Sequence, residues 1–195
     1  MNAERESIAA EILESSRRHD AAQADRLARF RNVEPETAEL LGILIRATLA
    51  QRILELGTSN GYSTLWLADA AEATGGAVTS VELDAARTRM AGAHLRKAGL
   101  RAELRTVDAA EVLATSGDGS WDFVFLDAER SAYASYWPDL LRTMRSPGGL
   151  LVIDNVLSHA DEVAEISRLI EQEPAVTSSV APIGAGVRLV VRAVV

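Results

Sequence analysis

Cysteine is absent from this 195-residue chain. A disulfide framework, a thiolate zinc site and a cysteine nucleophile are thereby excluded, while the compartment stays open. No apolar run approaches the about 20 residues that a helix needs to cross a bilayer, so no membrane partner is predicted. The first 14 residues carry four glutamates and one arginine without an apolar block. They do not read as a signal peptide, and a cytoplasmic location is the expectation. Internal repeats, low-complexity tracts and linkers rich in Pro, Gly or Ser are missing as well. A chain of this length suits one domain, 1–195, that can bury its own core. Basic charge is in short supply too: 20 Lys and Arg stand against 28 Asp and Glu, for a net charge of −8. An acidic surface repels a phosphate backbone, so no nucleic-acid partner is expected. Arg17, Arg18, Arg26, Arg29 and Arg31 fall close together, and they read as the charged faces of amphipathic helices.

What is present is a regular alternation. Residues 2–30 read as helical, with Ile8, Ile12 and Leu13 on one face and Leu27 and Phe30 on another. Pro35 fits the first turn of a second helix carrying Leu40, Leu41, Leu44, Ile45 and Leu49. From residue 51 short apolar runs at 52–56, 77–82, 102–107, 121–126 and 150–154 alternate with helical stretches near 61–73, 85–98, 131–144 and 159–172. Runs rich in Val, Ile and Leu, bounded by turns, are what strands buried on both faces look like. Strands alternating with helices imply right-handed crossovers and a parallel sheet. The last two runs, 175–181 and 187–194, have only Pro182-Ile183-Gly184-Ala185-Gly186 between them, which predicts an antiparallel hairpin at one edge. The fold class is therefore α/β: a doubly wound, mostly parallel seven-stranded sheet with a C-terminal antiparallel hairpin and extra N-terminal helices. Residues 1–34 form a helical extension, and 35–195 the core.

The first predicted strand runs through Gly57-Thr58-Ser59-Asn60 into Gly61. Glycines there let the backbone turn sharply and approach a ligand closely. The helix that follows offers free N–H groups and a positive dipole end. The second strand ends in Glu82, placed to accept hydrogen bonds from the ribose hydroxyls of a nucleoside cofactor. Ser59 occupies the place of the middle glycine of a dinucleotide fingerprint, which argues against a pyrophosphate.

The run Glu55-Leu56-Gly57-Thr58-Ser59-Asn60-Gly61-Tyr62-Ser63-Thr64 resembles motif I of class I S-adenosylmethionine-dependent methyltransferases. More narrowly it resembles the catechol and caffeoyl-CoA O-methyltransferase-like family, from about Pro35 onward. The resemblance implies that the 57–63 turn, with Glu55, Gly57, Thr58, Gly61, Tyr62 and Ser63, holds the methionine part of S-adenosylmethionine. By the same likeness Glu82 and Leu83 hold its ribose, and Asp108 and Ala109 line its adenine. Asp108 also reads as the N-cap of a short helix over 109–114.

Two more acids end apolar runs, Asp127 after Leu126 and Asp154 after Ile153. Ligands of doubly wound sheets sit outside the carboxyl ends of the strands, near the switch point. In the usual methyltransferase strand order Asp127 and Asp154 converge with Gly57 on one crevice. Asp127, Asp154 and Asn155 form an all-oxygen set suited to Mg²⁺ or another divalent cation, and the resemblance implies that these residues are the metal ligands. It also places Asp127 at the cofactor. Arg130 stands where resembling enzymes typically carry a lysine that deprotonates the substrate. A guanidinium cannot act as that base, which leaves Arg130 to stabilise an oxyanion or orient an acidic substrate. Tyr133 has the family's substrate-pocket position. His159, after Ser158 and before Asp161, reads as the first turn of a helix, and His19 and His94 as solvated.

The reading is an S-adenosylmethionine-dependent O-methyltransferase acting on a hydroxyl of a small aromatic acceptor, assisted by a metal, with Asp127, Arg130 and Asp154 as catalytic residues. The resemblance implies that the N-terminal helices serve a homodimer contact or cover the substrate. Alternatives are a metal-independent methyltransferase, a tRNA hydroxyuridine methyltransferase and a noncatalytic nucleotide-binding module.

Overall fold

The computed structural model describes residues 1–193, so Val194, assigned above to the last strand, lies outside the described residues. In chain order the elements are α1 (Ala3–Ala22), α2 (Pro35–Thr48), β1 (Arg52–Leu56), α3 (Tyr62–Thr74), β2 (Ala77–Glu82), α4 (Ala85–Lys97) and β3 (Glu103–Thr106). They continue with α5 (Ala109–Thr115), β4 (Phe123–Leu126), α6 (Tyr133–Thr143), β5 (Leu150–Ile153), α7 (Ala164–Glu171), β6 (Val176–Ala181) and β7 (Val187–Arg192). The sheet order is β3-β2-β1-β4-β5-β7-β6. Neighbours from β3 to β5 pair parallel, and β7 runs antiparallel between β5 and β6. The mostly parallel seven-stranded sheet and its terminal antiparallel pair are thus as expected.

Strand periodicity sorts the core onto two faces. Phe123 and Phe125 of β4 point to a cluster with Leu41 and Ile45 of α2 and Leu65 of α3. Val124 and Leu126 point the other way, to Leu113 of α5, Leu140 of α6 and Ile166 of α7. The chain winds outward through β1, β2 and β3 and then returns to β4 on the other side of β1. That reversal leaves a crevice above the carboxyl ends of β1 and β4, where Asp127 donates its backbone N–H to the Leu56 carbonyl at 3.0 Å.

The N-terminal region departs from expectation. Helix α1 stops at Ala22, and only a single 3-10 turn, Arg26–Ala28, follows before α2. Leu27, placed above on a second face of the helix with Phe30, is 65 % exposed. Asp20 terminates the helical pattern by accepting the backbone N–H groups of Phe30 at 2.7 Å and Arg31 at 2.9 Å. Residues 23–33 therefore form a strap that folds back over the sheet. At the far ends of the flanking helices, Asp69 of α3 accepts from Arg5 of α1 at 2.9 Å and from Arg46 of α2 at 2.6 Å. Arg17 and Arg18 are exposed on α1, as expected of a charged helical face. Arg26, Arg29 and Arg31 are not on such a face, because the strap is not a regular helix.

Two histidines expected in solvent are half-buried instead. The His94 Nδ1 lies 2.8 Å from the Asn60 carbonyl, and His19 stacks on Phe30 with ring centres 4.3 Å apart. The helix predicted from 159 begins only at Ala164. Residues 156–163 run as turns, because the β6–β7 connection takes the backbone donors of this stretch: Leu157 and Ser158 donate to the Ala185 carbonyl at 3.2 and 3.0 Å.

Candidate active site

The crevice at the switch point is a cavity of about 500 Å³, roofed by residues of the strap, a size within the usual range for small-molecule sites. Its floor is the β1 turn. Gly57 has φ +106, and a methyl group added there would lie 2.1 Å from the Asp127 carbonyl oxygen. Only glycine lets the end of β1 lie this close to the end of β4. Gly61 answers a different demand: at φ +88 it starts α3, and a Cβ would meet Ala91 of α4 at 2.7 Å. Beside the turn, Glu82 accepts the Ser59 N–H at 2.8 Å and the Asp84 N–H at 3.0 Å. A carboxylate has about four lone-pair sites, so Glu82 keeps acceptor capacity on the cavity side.

Of the predicted site residues, the cavity wall holds Gly57, Glu82, Leu83, Ala109, Asp127, Arg130 and Asn155. Glu55, Thr58, Gly61, Tyr62, Ser63, Asp108, Asp154 and Tyr133 are not on that wall. Glu55 is wholly buried beneath the turn, accepting from the hydroxyls of Ser63, Thr64 and Ser80 at 2.5 Å each. Thr58 joins that network through Ser80 at 2.5 Å. Asp108 is exposed and caps α5 by accepting the Ala110 N–H at 2.8 Å. Tyr133 is 1 % exposed in the core below the site, and its hydroxyl donates to the Ala128 carbonyl at 3.2 Å. From α6, the aromatic ring that reaches the cavity is Tyr136. The reason is helical phase: Tyr133 and Trp137, four apart, share the face turned to the sheet.

Burial pushes the Glu55 carboxyl from its ordinary 4.5 up to about 7, against the pull of the three hydroxyls. The folded state therefore holds this proton up to about pH 7, whereas the unfolded chain releases it near 4.5. The stabilisation linked to that proton is complete below the lower value and is lost as pH rises through the upper one, a change of about 3 kcal/mol. Glu55→Gln is expected to remove this slope. Urea midpoints of both proteins between pH 4.5 and 8 check it, and parallel profiles would refute the assignment.

Asp127 and Asp154 are brought together by the adjacent parallel strands β4 and β5. The Asn155 amide nitrogen lies between them, donating to Asp127 at 3.3 Å and to Asp154 at 3.0 Å. Asn155 has φ +65, a left-handed conformation that asparagine tolerates better than most residues. Burial raises the Asp127 carboxyl to about 6, with Arg31 the strongest opposing influence. It raises the Asp154 carboxyl to about 7, with Asp127 adding to the rise. The Asp154 Oδ1 is buried and has no hydrogen-bond partner. Among the described residues no group of three or more His, Cys, Asp or Glu side chains is placed to hold a metal. The candidate set is instead two carboxylates and one amide, whose oxygen now accepts from Ser158 Oγ at 3.4 Å and which must turn over to present that oxygen to a cation. An orphaned buried carboxylate oxygen facing a like charge fits a small divalent cation with oxygen ligands.

Arg130 is 5 % exposed, and its Nε donates to Glu162 Oε2 at 2.8 Å. Glu162 also accepts from Arg26 of the strap at 3.3 and 3.4 Å, and hydrogen bonds from the two guanidinium groups hold its carboxyl down near 2. His159 lines the cavity as well. Burial, with Arg130 next, lowers its imidazole below the ordinary value, and Ser158 Oγ lies 2.8 Å from its Nδ1. Glu162, Tyr136 and the strap arginines were missed by sequence reasoning. The arginine cluster near the start of the chain was the one signal for the strap.

The O-methyltransferase family profile matches residues 3–193. The chain belongs to the O-methyltransferase family. The match includes α1 and the strap, which lie before the motif I region. Two curated relatives are named catechol O-methyltransferase. That of Niastella koreensis is 35 % identical over 150 residues, covering 74 % of this chain and 65 % of the relative. That of Mycobacterium tuberculosis is 34 % identical over 148 residues, covering 75 % and 64 %. The chain thus spans slightly less than two thirds of the length of these relatives. A crystal structure of the Bacillus cereus O-methyltransferase in complex with SAH superposes with a TM-score of 0.78 at 26 % identity, covering 95 % of this chain and 90 % of that one. The architecture is that of the α/β methyltransferase fold.

Proposed function

We propose that this O-methyltransferase-family chain transfers a methyl group from S-adenosylmethionine to a hydroxyl oxygen of a small aromatic acceptor, with a divalent cation held by Asp127, Asp154 and Asn155. The observation that carries this reading is the buried, unpartnered Asp154 oxygen, on a side chain joined to Asp127 through the Asn155 amide. Family membership and an SAH-bound relative support the cofactor. The relatives named for catechol support an aromatic acceptor.

When bound, the cofactor supplies an electrophilic methyl group on a sulfonium, and the cation supplies Lewis acidity that favours an ionised hydroxyl. The chain contributes position and polarity. Glu82 would accept the ribose hydroxyls with its remaining lone pairs. Gly57 and Ser59 bring backbone within reach of the cofactor's amino-acid end, and Val107 and Ala109 offer an apolar edge to its base. Glu55 acts from beneath, fixing Ser63 and Thr64 at the start of α3. Arg130, locked by Glu162, presents a fixed positive charge beside the two aspartates, suited to an oxyanion and not to taking up a proton. No lysine replaces it: the single lysine, Lys97, closes α4 and pairs with Glu11 of α1. Most of the rate would then come from orientation and exclusion of water under the strap.

The test is a methyl-transfer assay with labelled S-adenosylmethionine over catechols, hydroxyflavonoids and hydroxylated nucleosides, with Mg²⁺ and with EDTA. Turnover of a catechol that EDTA abolishes and Mg²⁺ restores is the expected result. Turnover indifferent to EDTA would remove the cation from the reading, and transfer confined to nucleosides would replace the acceptor.

A further inference from the structure

The cavity wall is cationic although the chain is acidic. Arg26, Arg29, Arg31, Arg87 and Arg130 all line it. The carboxylates on the wall are Glu82, Asp127 and Glu129, and the reading above already assigns Glu82 to the cofactor and Asp127 to the cation.

Most of these guanidinium groups are committed within the protein. Arg26 and Arg130 converge on Glu162. Arg29 donates twice to the Gln23 carbonyl, at 2.9 and 2.8 Å. Arg87 donates to the Leu27 and Arg29 carbonyls, at 2.5 and 3.0 Å, which ties α4 to the strap. Arg31 differs. Its Nε is buried without an acceptor, and among the described residues no carboxylate lies within 4.0 Å of its side chain. The next residue repeats the pattern: the Asn32 Nδ2 is also buried and unpartnered. Arg31 and Asn32, consecutive in the strap, thus both line the cavity, each with a nitrogen just beneath its surface that no protein group satisfies.

The backbone at this point is itself constrained. Arg31 has φ +53, a conformation that a long side chain rarely adopts. Both carboxylate oxygens of Asp20 hold it there, by accepting the N–H groups of Phe30 and Arg31. A second tie runs from Ser59 of the glycine turn, whose hydroxyl donates to the Phe30 carbonyl at 2.9 Å. The strap is therefore fastened to α1 on one side and to the cofactor turn on the other, and Arg31 and Asn32 line the cavity between these ties. Desolvated donors of this kind, one of them charged, fit an anionic oxygen pair.

We propose that the acceptor is a small hydroxylated aromatic acid whose carboxylate is bound by the free donors of Arg31 and Asn32. The proposal rests on the methyl-transfer reading and names its substrate class. A carboxylate fits better than a bulky phosphorylated carrier, because a cavity of about 500 Å³ must admit the cofactor together with the acceptor. Arg31 and Asn32 are specificity-determining residues here. They set which ring enters and how it lies, and the chemistry of transfer stays with the strand-end carboxylates.

The experiment compares 3,4-dihydroxybenzoate with its methyl ester and with catechol. Binding of each to the SAH-loaded protein in Mg²⁺ is measured by calorimetry, and kcat and KM are measured with S-adenosylmethionine. The acid is expected to bind at least about tenfold more tightly than the ester, with the difference shrinking as salt is raised. In turnover the preference should appear in KM. Arg31→Asn keeps a residue that accepts φ > 0 and removes the guanidinium. It should bring the acid-to-ester ratio near one while SAH affinity stays within about threefold. Asn32→Ala should lower the ratio by a smaller factor. Equal binding of acid and ester by the unaltered protein, a measurement that needs no variant, overturns the proposal. So does an Arg31 variant that loses SAH affinity and keeps the acid preference, since the guanidinium would then serve the cofactor. Preferential binding of the acid without methyl transfer would sink the catalytic reading and leave this one standing. Methyl transfer with equal kcat/KM for acid and ester would do the reverse.

Discussion

Asp154→Ala is expected to lower kcat/KM for methyl transfer by about a thousandfold or more, the scale of several kcal/mol of lost cation-assisted stabilisation. SAH affinity should stay within about threefold, because Asp154 lies behind the cavity and not on the wall that receives the cofactor. Loss of fold would not account for such a result. Asp154 is 2 % exposed and faces Asp127 across the Asn155 amide, so two buried carboxylates repel each other with no cation between them. Removing one relieves that repulsion, and the variant is expected to melt no lower than its parent in the absence of metal. Added Mg²⁺ should raise the melting temperature of the parent and leave the variant unmoved, since a ligand stabilises only a fold that binds it. Calorimetric scans with and without Mg²⁺, together with an SAH titration, read all of this. Simultaneous loss of SAH binding and turnover would contradict the division of roles between the glycine turn and the strand-end acids.

Gly57→Ala should act on the fold itself. The added methyl would meet the Asp127 carbonyl oxygen at 2.1 Å and its carbon at 2.7 Å, on a residue with φ +106. Both contacts are backbone, so no side chain can swing aside. Backbone strain and forced separation of β1 from β4 together should destabilise the protein by about 3–5 kcal/mol, which for a chain of this size is a fall of about 10 °C in Tm. Any folded fraction should bind SAH poorly, because moving Asp127 opens the floor of the cavity. Gly61→Ala offers a contrast: its Cβ would collide with Ala91 of α4, so it should loosen the packing of α3 on α4 without opening the β1–β4 seam. Thermal melts and SAH titrations of the two variants test the distinction. A Gly57→Ala protein within about 1 kcal/mol of its parent would show that the close approach has slack.

Much of this was legible in one dimension. The alternation of short Val/Ile/Leu runs with helical stretches carries its own period, and a glycine turn or an acid at a strand end is visible as an interruption of an apolar run. Gly57, Glu82, Asp127 and Asp154 were singled out that way, with Asn155 as the residue beside Asp154, because strand ends in a parallel sheet all point to one side. The strap was not legible. Residues 23–33 have the composition of a helix, and their break depends on Asp20 taking two backbone donors from residues ten and eleven positions on. Glu55 was assigned to the cofactor from the motif alone. Its burial depends on Ser80 of the neighbouring strand and Ser63 of the following helix folding over it. Tyr133 and Tyr136 lie three apart on one helix, and which of them meets the cavity depends on how α6 is rotated against β4 and β5.

By itself, then, the amino-acid order determined the strand and helix alternation, the switch-point crevice and the acids at the ends of the strands below it, since each of these follows from local periodicity and chain connectivity. The tertiary structure alone decided that an arginine-bearing strap closes the crevice, that Glu55 works from beneath it and that Arg130 is locked to Glu162. Those facts rest on contacts between residues distant in sequence, such as the 32 positions between Arg130 and Glu162, and no local pattern records which of many polar side chains will meet once the core has packed.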